Sequence, residues 1–281
     1  MQEEIVVKAP TTEALTPAQI TQKAEDLGVT KTEMSFDRSF ALSIMAGAFI
    51  AMGAMFFSLV VGDPALPFAI QRVLGGFLFC LGLILVVVAG AELFTGNTMI
   101  VMTAASKRIK WSAVWKNWIV VFFGNFLGAL VIVGLVFLSD MSAMNGGQVG
   151  QTMVSVAAGK MHADWLVLFA KGIMCNFLVC LGVWMAYASK TVADKILAVV
   201  FPITAFVACG FEHCVANMFF LPMGALLASC GIAPAGIDPA SVNMLGALYN
   251  WSATVPGNIV GGALMVGMMY WFIYRKSKKK N

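Results

Sequence analysis

The sequence has very few charged residues for its length. Only 11% of its 281 residues are Asp, Glu, Lys or Arg, whereas 60% are hydrophobic. A soluble domain of this size needs more charged surface, so the composition excludes a soluble globular protein. It predicts a helical bundle that lies within a lipid bilayer and has no role in binding nucleic acid.

Three further features of the composition narrow the possible classes of protein. The first 35 residues contain acidic side chains and no apolar run, so we expect no cleavable signal peptide. Only two histidines are present, His162 and His213, whereas a haem-bearing redox enzyme needs histidines paired across spans. The six cysteines lie mostly in apolar runs, where we interpret them as small buried residues without metal or disulfide chemistry.

Long apolar runs dominate what is present. Most of them reach or exceed the ~20 residues that a helix needs to cross the hydrocarbon core. The runs cover about 37–61, 67–92, 112–138, 164–188, 194–228 and 244–274. The sequence therefore predicts an all-α membrane protein with six transmembrane helices.

Basic residues concentrate in alternate connections between these runs. They cluster at 107–110, at 190–195 and after 274, whereas the other connections contain almost none except Lys160. Because Lys and Arg are retained on the cytoplasmic side, we expect both termini to be cytoplasmic. The chain is then divided into an N-terminal segment 1–36, a transmembrane domain 37–274 and a basic tail 275–281.

One pattern, N-W-x5-G-N-x2-G-x5-G, occurs twice. The first copy begins at Asn117 and the second at Asn250, with identical internal spacing. Such agreement predicts an internal repeat, with one half at about 37–138 and the other at about 164–274. Each half has three spans, an odd number, so the second half must be inverted in the membrane. We interpret the repeated glycines as sites of close helix packing.

The second and fifth spans both contain a polar interruption. Residues 90–98 include a carboxylate, two hydroxyls and two glycines, and residues 210–217 include a carboxylate, an imidazole and an amide. Freed backbone groups are tolerated at membrane depth only where they are buried in protein or line a cavity. Matched breaks in the two halves therefore predict the transport site.

Ionisable residues within spans are functional candidates because burying charge in hydrocarbon is costly. These residues are Glu92, Glu212, His213 and Lys171. We expect each glutamate to accept hydrogen bonds from exposed N–H groups of the following half-helix. We interpret His213 as functional because it lies at a break beside a carboxylate. Lys160, just outside the fourth span, fits a solvated loop residue and a functional residue equally well.

Three segments resemble the formate/nitrite transporter family. They are G-F-E-H-C-V-A-N-M at 210–218, A-E-L-F-T at 91–95 and C-N-F-L-V-C-L at 175–181. The resemblance extends from about residue 15 to 275. It implies an aquaporin-like six-helix protomer with broken second and fifth helices, assembled as a homopentamer with one pore per protomer, in a bacterial or archaeal inner membrane.

The resemblance also implies roles for single residues. His213 matches the central pore histidine, and residues 15–24 match a cytoplasmic N-terminal amphipathic helix, in which Thr16 before Pro17 suits an N-cap. The other matches are Glu212 beside the histidine, Asn176 as the pore amide, Thr95 as a partner of the histidine, Lys160 as the vestibule lysine, and Phe79, Leu83 and Phe206 as the apolar constriction. We expect Glu92 and Asn217 to support the two helix breaks.

The resemblance implies a channel for small monovalent anions of weak acids, without enzymatic activity or cofactors. Lys160 would concentrate the anion, and His213 would stabilise it or give it a proton before it crosses the second apolar ring. Lys171 and Thr95–Thr98 look nitrite-type, whereas Phe206–Met223 looks formate-type, so formate, nitrite and hydrosulfide all stay open. The alternative is a neutral-solute channel of aquaporin type, whose two Asn-Pro-Ala turns are missing here.

Overall fold

The computed structural model describes residues 13–275, and every regular element in that range is helical. The predicted all-α class is confirmed for this range, whereas residues 1–12 of the predicted N-terminal segment and residues 276–281 of the predicted tail lie outside it. The α-helices are α1 (Pro17–Glu33), α2 (Phe36–Val61), α3 (Phe68–Leu85), α4 (Phe94–Asn97), α5 (Val101–Ala105), α6 (Trp111–Leu138), α7 (Gln148–Met161), α8 (Trp165–Ala188), α9 (Val192–Ala208), α10 (Asn217–Ser229), α11 (Met244–Ile259) and α12 (Met269–Tyr274).

Five helical stretches of the described range are long and apolar enough to cross a membrane. Two of them include wide π-helical turns, which lengthen α3 to Gly90 and join α11 to α12. They are Phe36–Val61, Phe68–Gly90, Trp111–Leu138, Trp165–Ala188 and Met244–Tyr274. The remaining predicted span, 194–228, is divided between α9 and α10, and residues 209–216 between them do not form a regular helix.

Two helical stretches end in the same way, at a glycine with a left-handed backbone. Gly90 has φ +88° and Gly210 has φ +72°. After each glycine, the next N–H returns to a carbonyl five residues earlier: Ala91 to Val86 and Phe211 to Phe206, both at 3.0 Å. This is the usual way in which a helix stops at glycine, and the chain leaves both helices inside the bundle.

The helices pack in two similar groups. Helix α2 packs against α3 and α6, helix α8 packs against α9 and α11, and α3 and α9 join the groups. A Cβ atom on Gly128 of α6 would fall on the carbonyl oxygen of Ile44, and one on Gly261 would fall on that of Ile173. At these positions the glycines allow close helix packing, as expected. Gly134 does not pack in this way within the chain, because no atom outside its own stretch of helix lies within 4 Å of an added Cβ.

Helix α7 is an element that the apolar pattern did not predict. Its 14 residues lie in a connection that we expected to be a loop, and Met153, Val154 and Ala157 are buried against the bundle. It packs mainly on α10. A helix of this length is too short to cross the bilayer. It places Lys160 near the break that follows α9.

Helix α1 is fixed to the bundle by a buried carboxylate. Glu25 is fully buried, and both of its oxygens accept hydrogen bonds from Arg275, at 3.0 and 2.7 Å. Ser106 also donates to Glu25, and Trp271 donates to Ser106 at 2.8 Å. At the surface next to this cluster, the hydrogen bond from Arg108 holds the pKa of Asp26 below its usual value. Polar contacts therefore join the first described helix to the last.

Candidate functional site

Two cavities enter the bundle from opposite ends. One has a volume of about 310 Å³ and lies beside α7, near the start of α3 and the end of α9. The other has a volume of about 550 Å³ and lies beside α1, near the end of α3 and the start of α9. We call them the α7-face cavity and the α1-face cavity. Because α3 and α9 each pass from one cavity to the other, the cavities lie on opposite faces of the bundle.

Basic side chains outnumber carboxylates in the lining of each cavity. Arg72, Lys160 and Lys171 line the α7-face cavity with one carboxylate, Glu212. The α1-face cavity contains the same balance, three basic residues and one carboxylate: Lys23, Lys31, Lys195 and Glu92. Both mouths therefore have an excess of positive charge, which attracts anions.

The first carboxylate cluster lies at the α1-face cavity and consists of Glu92, Lys31, Asn97 and Asn117. The Lys31 ammonium lies 2.8 Å from both Glu92 Oε1 and Asn97 Oδ1, and the Asn97 amide donates to Glu92 Oε2 at 2.7 Å and to Asn117 at 2.9 Å. Burial alone would lower the pKa of Lys31, but the charge and hydrogen bond of Glu92, together with the nearby Tyr187, raise that pKa above its usual value. Lys31 is therefore a cation at neutral pH.

The second carboxylate cluster lies at the α7-face cavity and consists of Glu212, Lys160, Asn217 and Asn250. Lys160 donates to Glu212 Oε1 at 3.0 Å, and Asn217 donates to Glu212 Oε2 at 2.7 Å and to Asn250 at 2.8 Å. Asn250 returns a hydrogen bond to the Lys160 carbonyl at 3.0 Å, as Asn117 does to that of Lys31 at 3.4 Å. The two clusters thus use the same residue types in the same order.

We expected Glu92 and Glu212 to accept hydrogen bonds from backbone N–H groups, and this expectation is wrong. The described partners of these carboxylates are side chains, and the N–H groups two residues further on find asparagines instead. Phe94 donates to Asn125 Oδ1 at 2.9 Å, and Cys214 donates to Asn258 Oδ1 at 2.8 Å. Both asparagines come from the repeated G-N pair, so a side chain of the repeat motif satisfies each break.

His213 is buried, and its hydrogen bonds fix its tautomer. The Ala216 N–H donates to His213 Nδ1 at 3.0 Å, so Nδ1 has no proton. The proton of the neutral ring is therefore on Nε2, which lies 2.9 Å from Thr95 Oγ1 and donates to it. The structure thus brings the predicted pair, His213 and Thr95, into direct contact.

An apolar layer lies between the cavities. Phe79 and Phe206 line the α7-face cavity with rings 5.7 Å apart, and the Phe206 ring lies 5.8 Å from that of His213. Leu83 is one turn, about 6 Å, further along α3 and lines the α1-face cavity. All three apolar side chains are buried. The two cavities therefore approach each other across the three residues that we expected to form the constriction.

Asn176 is not part of either cavity lining. It is fully buried, and its amide donates to the carbonyls of Thr95 at 3.1 Å and Asn258 at 2.7 Å and to the Thr98 hydroxyl at 3.1 Å. In this arrangement it positions the segment that contains Thr95 and has no free donor for a solute.

Lys31 is the main residue that the sequence reasoning missed. It comes from α1, outside the repeat, so neither the apolar runs nor the motif indicated it. The spacing of the glutamates and amides was a usable signal, because Glu92 precedes Asn97 by five residues and Glu212 precedes Asn217 by five. That match predicts that a basic partner of Glu212, such as Lys160, has a counterpart at Glu92.

The cysteines and candidate metal ligands add no further site. All six cysteines are free, and four of them are buried as expected, but Cys209 and Cys230 are exposed. In residues 13–275, no group of three His, Cys, Asp or Glu side chains is placed to hold a metal ion.

A polar centre enclosed in an apolar helical bundle, with a cavity from each face, defines a membrane channel or transporter. The model of the formate/nitrite transporter family matches residues 18–272, so the chain belongs to this family. The family assignment gives no support to the aquaporin-type alternative.

Several relatives are similar over nearly their whole length. The chain is 40% identical to the formate channel FocA of Escherichia coli (strain K12), over 92% of this chain and 94% of that protein. It is 38% identical to FocA of Haemophilus influenzae, over 92% of this chain and 95% of that one. A solved pentameric formate channel with formate bound has a TM-score of 0.76 and 37% identity, covering 85% of this chain and 97% of that chain.

Proposed function

We propose that this chain forms a membrane channel for the monovalent anions of small weak acids, with formate as the first candidate substrate. One observation carries the proposal: each face has a cavity with three basic residues and one carboxylate, and an apolar layer lies between the cavities. The names of the relatives, which are formate channels, support the choice of formate over nitrite and hydrosulfide.

The apolar layer makes a charged solute costly at the centre. A carboxylate-sized anion that loses its water between Phe79, Phe206 and Leu83 gains no charged partner there, and the cost is several kcal/mol or more. The same solute crosses far more easily as the neutral acid. The positively charged cavities attract the anion, whereas the apolar layer is crossed more easily by the neutral acid. This combination is what a channel for weak acids requires.

His213 is the polar group at the boundary between the α7-face cavity and the apolar layer. As a neutral ring it offers a hydrogen bond from Nε2, shared with Thr95. It can donate a proton only after Nδ1 has taken one up and released the Ala216 N–H. In our proposal His213 and Thr95 hold the anion, and a proton from water in the α7-face cavity, which His213 lines, binds at Nδ1. The Nε2 proton then passes to the anion, which leaves as the neutral acid. The ring, left neutral with its proton on Nδ1, returns to the starting tautomer by exchange with the same water.

Two substitutions of His213 test the proposed proton donation. His213→Asn keeps an acceptor for the Ala216 N–H and an amide donor near Thr95 but cannot titrate, whereas His213→Phe removes all three properties. In proteoliposomes we expect formate uptake by the parent protein to rise between pH 7 and pH 5, and the rise to be lost in both variants. If both variants keep the parent pH profile, proton donation by His213 is wrong, although an anion channel would still stand.

The substrate class itself is tested by a flux panel. We expect formate, nitrite and hydrosulfide to enter proteoliposomes faster than chloride, which has no neutral acid form at these pH values. Equal rates for chloride and formate would contradict the weak-acid mechanism, and no flux of any anion would contradict the anion channel.

We further propose that the chain is an inverted repeat of two three-helix units with broken second and fifth helices. The matched carboxylate clusters support this, as do the matched glycine endings at Gly90 and Gly210. We also propose that α1 and residues 107–110 face the cytoplasm and that the α7 face lies outside, in a bacterial inner membrane; the alternation of basic residues supports this orientation. On this division residues 1–36 form the cytoplasmic N-terminal segment and residues 37–274 the channel domain.

We propose a homopentamer with one pore in each protomer. The exposed apolar face of α6, which includes Trp115, Ile119 and Phe123, is available for lipid or for a neighbouring subunit. The solved relative described as a pentameric formate channel supports the same assembly. Particles with fivefold symmetry are the expected result, and a fully active monomer would contradict it.

A further inference from the structure

Lys171 is a basic residue in the α7-face cavity whose ammonium group has no hydrogen-bonding or charged partner within residues 13–275. Lys160 in the same cavity is paired with Glu212 at 3.0 Å. The Arg72 guanidinium donates to the carbonyls of Val207 and Ala208 at 2.7 and 3.0 Å, at the end of α9. Lys171 lines the cavity and is partly exposed, and none of the hydrogen bonds or ion pairs among the described residues involves its ammonium group.

The backbone of Lys171 is nevertheless fixed at the break. Its carbonyl accepts the Glu212 N–H at 3.3 Å, and the carbonyl of the next residue, Gly172, accepts from Asn258 at 2.8 Å. The flexible ammonium therefore extends from a rigid position in the wall of the cavity that also contains Glu212 and His213.

The first half of the chain shows that this position does not need a lysine. There, Leu42 accepts the Glu92 N–H at 3.2 Å, and the carbonyl of the next residue, Ser43, accepts from Asn125 at 2.7 Å. Leu42 thus makes the backbone contacts of Lys171 at the other break, and it lines the α1-face cavity. Leucine makes the same backbone hydrogen bonds at the other break, so these bonds do not explain why position 171 has a lysine.

We propose that the Lys171 ammonium is a docking site for a small monovalent anion in the α7-face cavity, separate from the Lys160–Glu212 pair. This inference rests on the proposed anion channel and identifies the residue that sets affinity for anions entering from the α7 face. A lysine with three free donors and an unpaired charge binds a carboxylate or nitrite without first breaking an existing ion pair. An anion that binds Lys160 must instead compete with the Glu212 carboxylate, which is already paired with that ammonium group.

The test compares Lys171→Leu, which copies Leu42, with Lys171→Arg, which keeps the charge. Lys116→Leu is the matched control, because it removes one exposed positive charge from α6, outside both cavity linings. Initial formate uptake into proteoliposomes is measured against formate concentration at low and high ionic strength, the latter set with an impermeant salt.

At low ionic strength we expect Lys171→Leu to raise the half-saturating formate concentration about fivefold, equivalent to ~1 kcal/mol, with little change in maximal rate. Lys171→Arg and Lys116→Leu should both keep the half-saturating concentration of the parent protein. High salt should reduce the difference in this concentration between Lys171→Leu and the parent.

Several results would overturn the docking site. One is the same half-saturating concentration for Lys171→Leu and the parent protein, and another is a loss of affinity in Lys171→Arg equal to that in Lys171→Leu. A lower unfolding temperature in both variants, with maximal rate lost in both, would assign Lys171 a structural role instead. A parent protein that carries no formate would contradict the proposed function itself, which distinguishes the two failures.

Discussion

At the scale of single residues, the two carboxylate clusters differ at one oxygen. Asn97 Oδ1 accepts a hydrogen bond from Lys31 at 2.8 Å, whereas the buried Asn217 Oδ1 has no partner among the described residues. Lys160 donates only to Glu212 among the described contacts, and its ammonium lies 5.5 Å from the centre of the Phe220 ring. Lys31 is therefore held by two acceptors and Lys160 by one.

The largely buried ion pair between Lys31 and Glu92 predicts that Glu92 contributes strongly to the stability of the folded protein. Glu92→Gln removes the charge that compensates the Lys31 ammonium, which is only 19% exposed, and we expect a loss of roughly 2 kcal/mol, or a clearly lower unfolding temperature in detergent. Glu33→Gln, an exposed residue of α1, is the control and should be neutral. A Glu92→Gln protein as stable as the parent would mean that the ion pair contributes nothing.

Some of the site was predictable from the sequence and some was not. Glu212 and His213 are adjacent in the chain and lie at a visible break, so their place in one cavity follows from the local pattern. The contact between Lys31 and Glu92 joins residues 61 positions apart and depends on how α1 lies on the bundle. The commitment of Asn176 to backbone carbonyls likewise depends on packing, which no single segment encodes.

At the scale of helices, hydrophobic length predicted the long elements well. The five stretches that are long enough to cross the membrane agree closely with apolar runs, because lipid-exposed helices need unbroken apolar surface. Helix α7 was missed because its buried side chains are interspersed with Gly, Ser and Thr, and no apolar run of spanning length results. The interruption at 210–217 was visible in the sequence, whereas the left-handed backbone of Gly210, shortly after the end of α9, was not.

The repeated glycines give a prediction with an internal control. Gly128→Ala would place a methyl group on the Ile44 carbonyl and push α6 away from α2, at a cost of about 1–3 kcal/mol. Gly134 lies about 1.7 turns further along the same helix, where an added Cβ meets no atom of another element within 4 Å. Gly134→Ala should therefore be neutral or slightly stabilising. Thermal unfolding of both variants in detergent checks this difference. Equal stability of the two variants would mean that α2 and α6 do not pack this closely.

At the scale of the whole molecule, the exposed cysteines report on orientation. Cys209 and Cys230 are both exposed. Cys209 follows α9 between Val207 and Gly210, which line the α7-face cavity, and Cys230 follows α10, which packs on α7. If the α7 face is outside, a membrane-impermeant maleimide added to intact cells will label the parent protein, and Cys209→Ala with Cys230→Ala will abolish the labelling. A new cysteine at exposed Lys110, in that double variant, should be labelled only after the cells are opened. Labelling of Lys110→Cys in intact cells would reverse the orientation.

The contact between Glu25 and Arg275 also has a consequence for biosynthesis. The two residues are 250 positions apart, and Arg275 is the last described residue of the chain. While the ribosome is still making the sixth apolar run, Glu25 lacks this bidentate partner, although Lys31 can already pair with Glu92 and Arg108 with Asp26. The last of these contacts between α1 and the bundle therefore forms only after Arg275 has been synthesised. A nascent chain that stops before α12 would lack it.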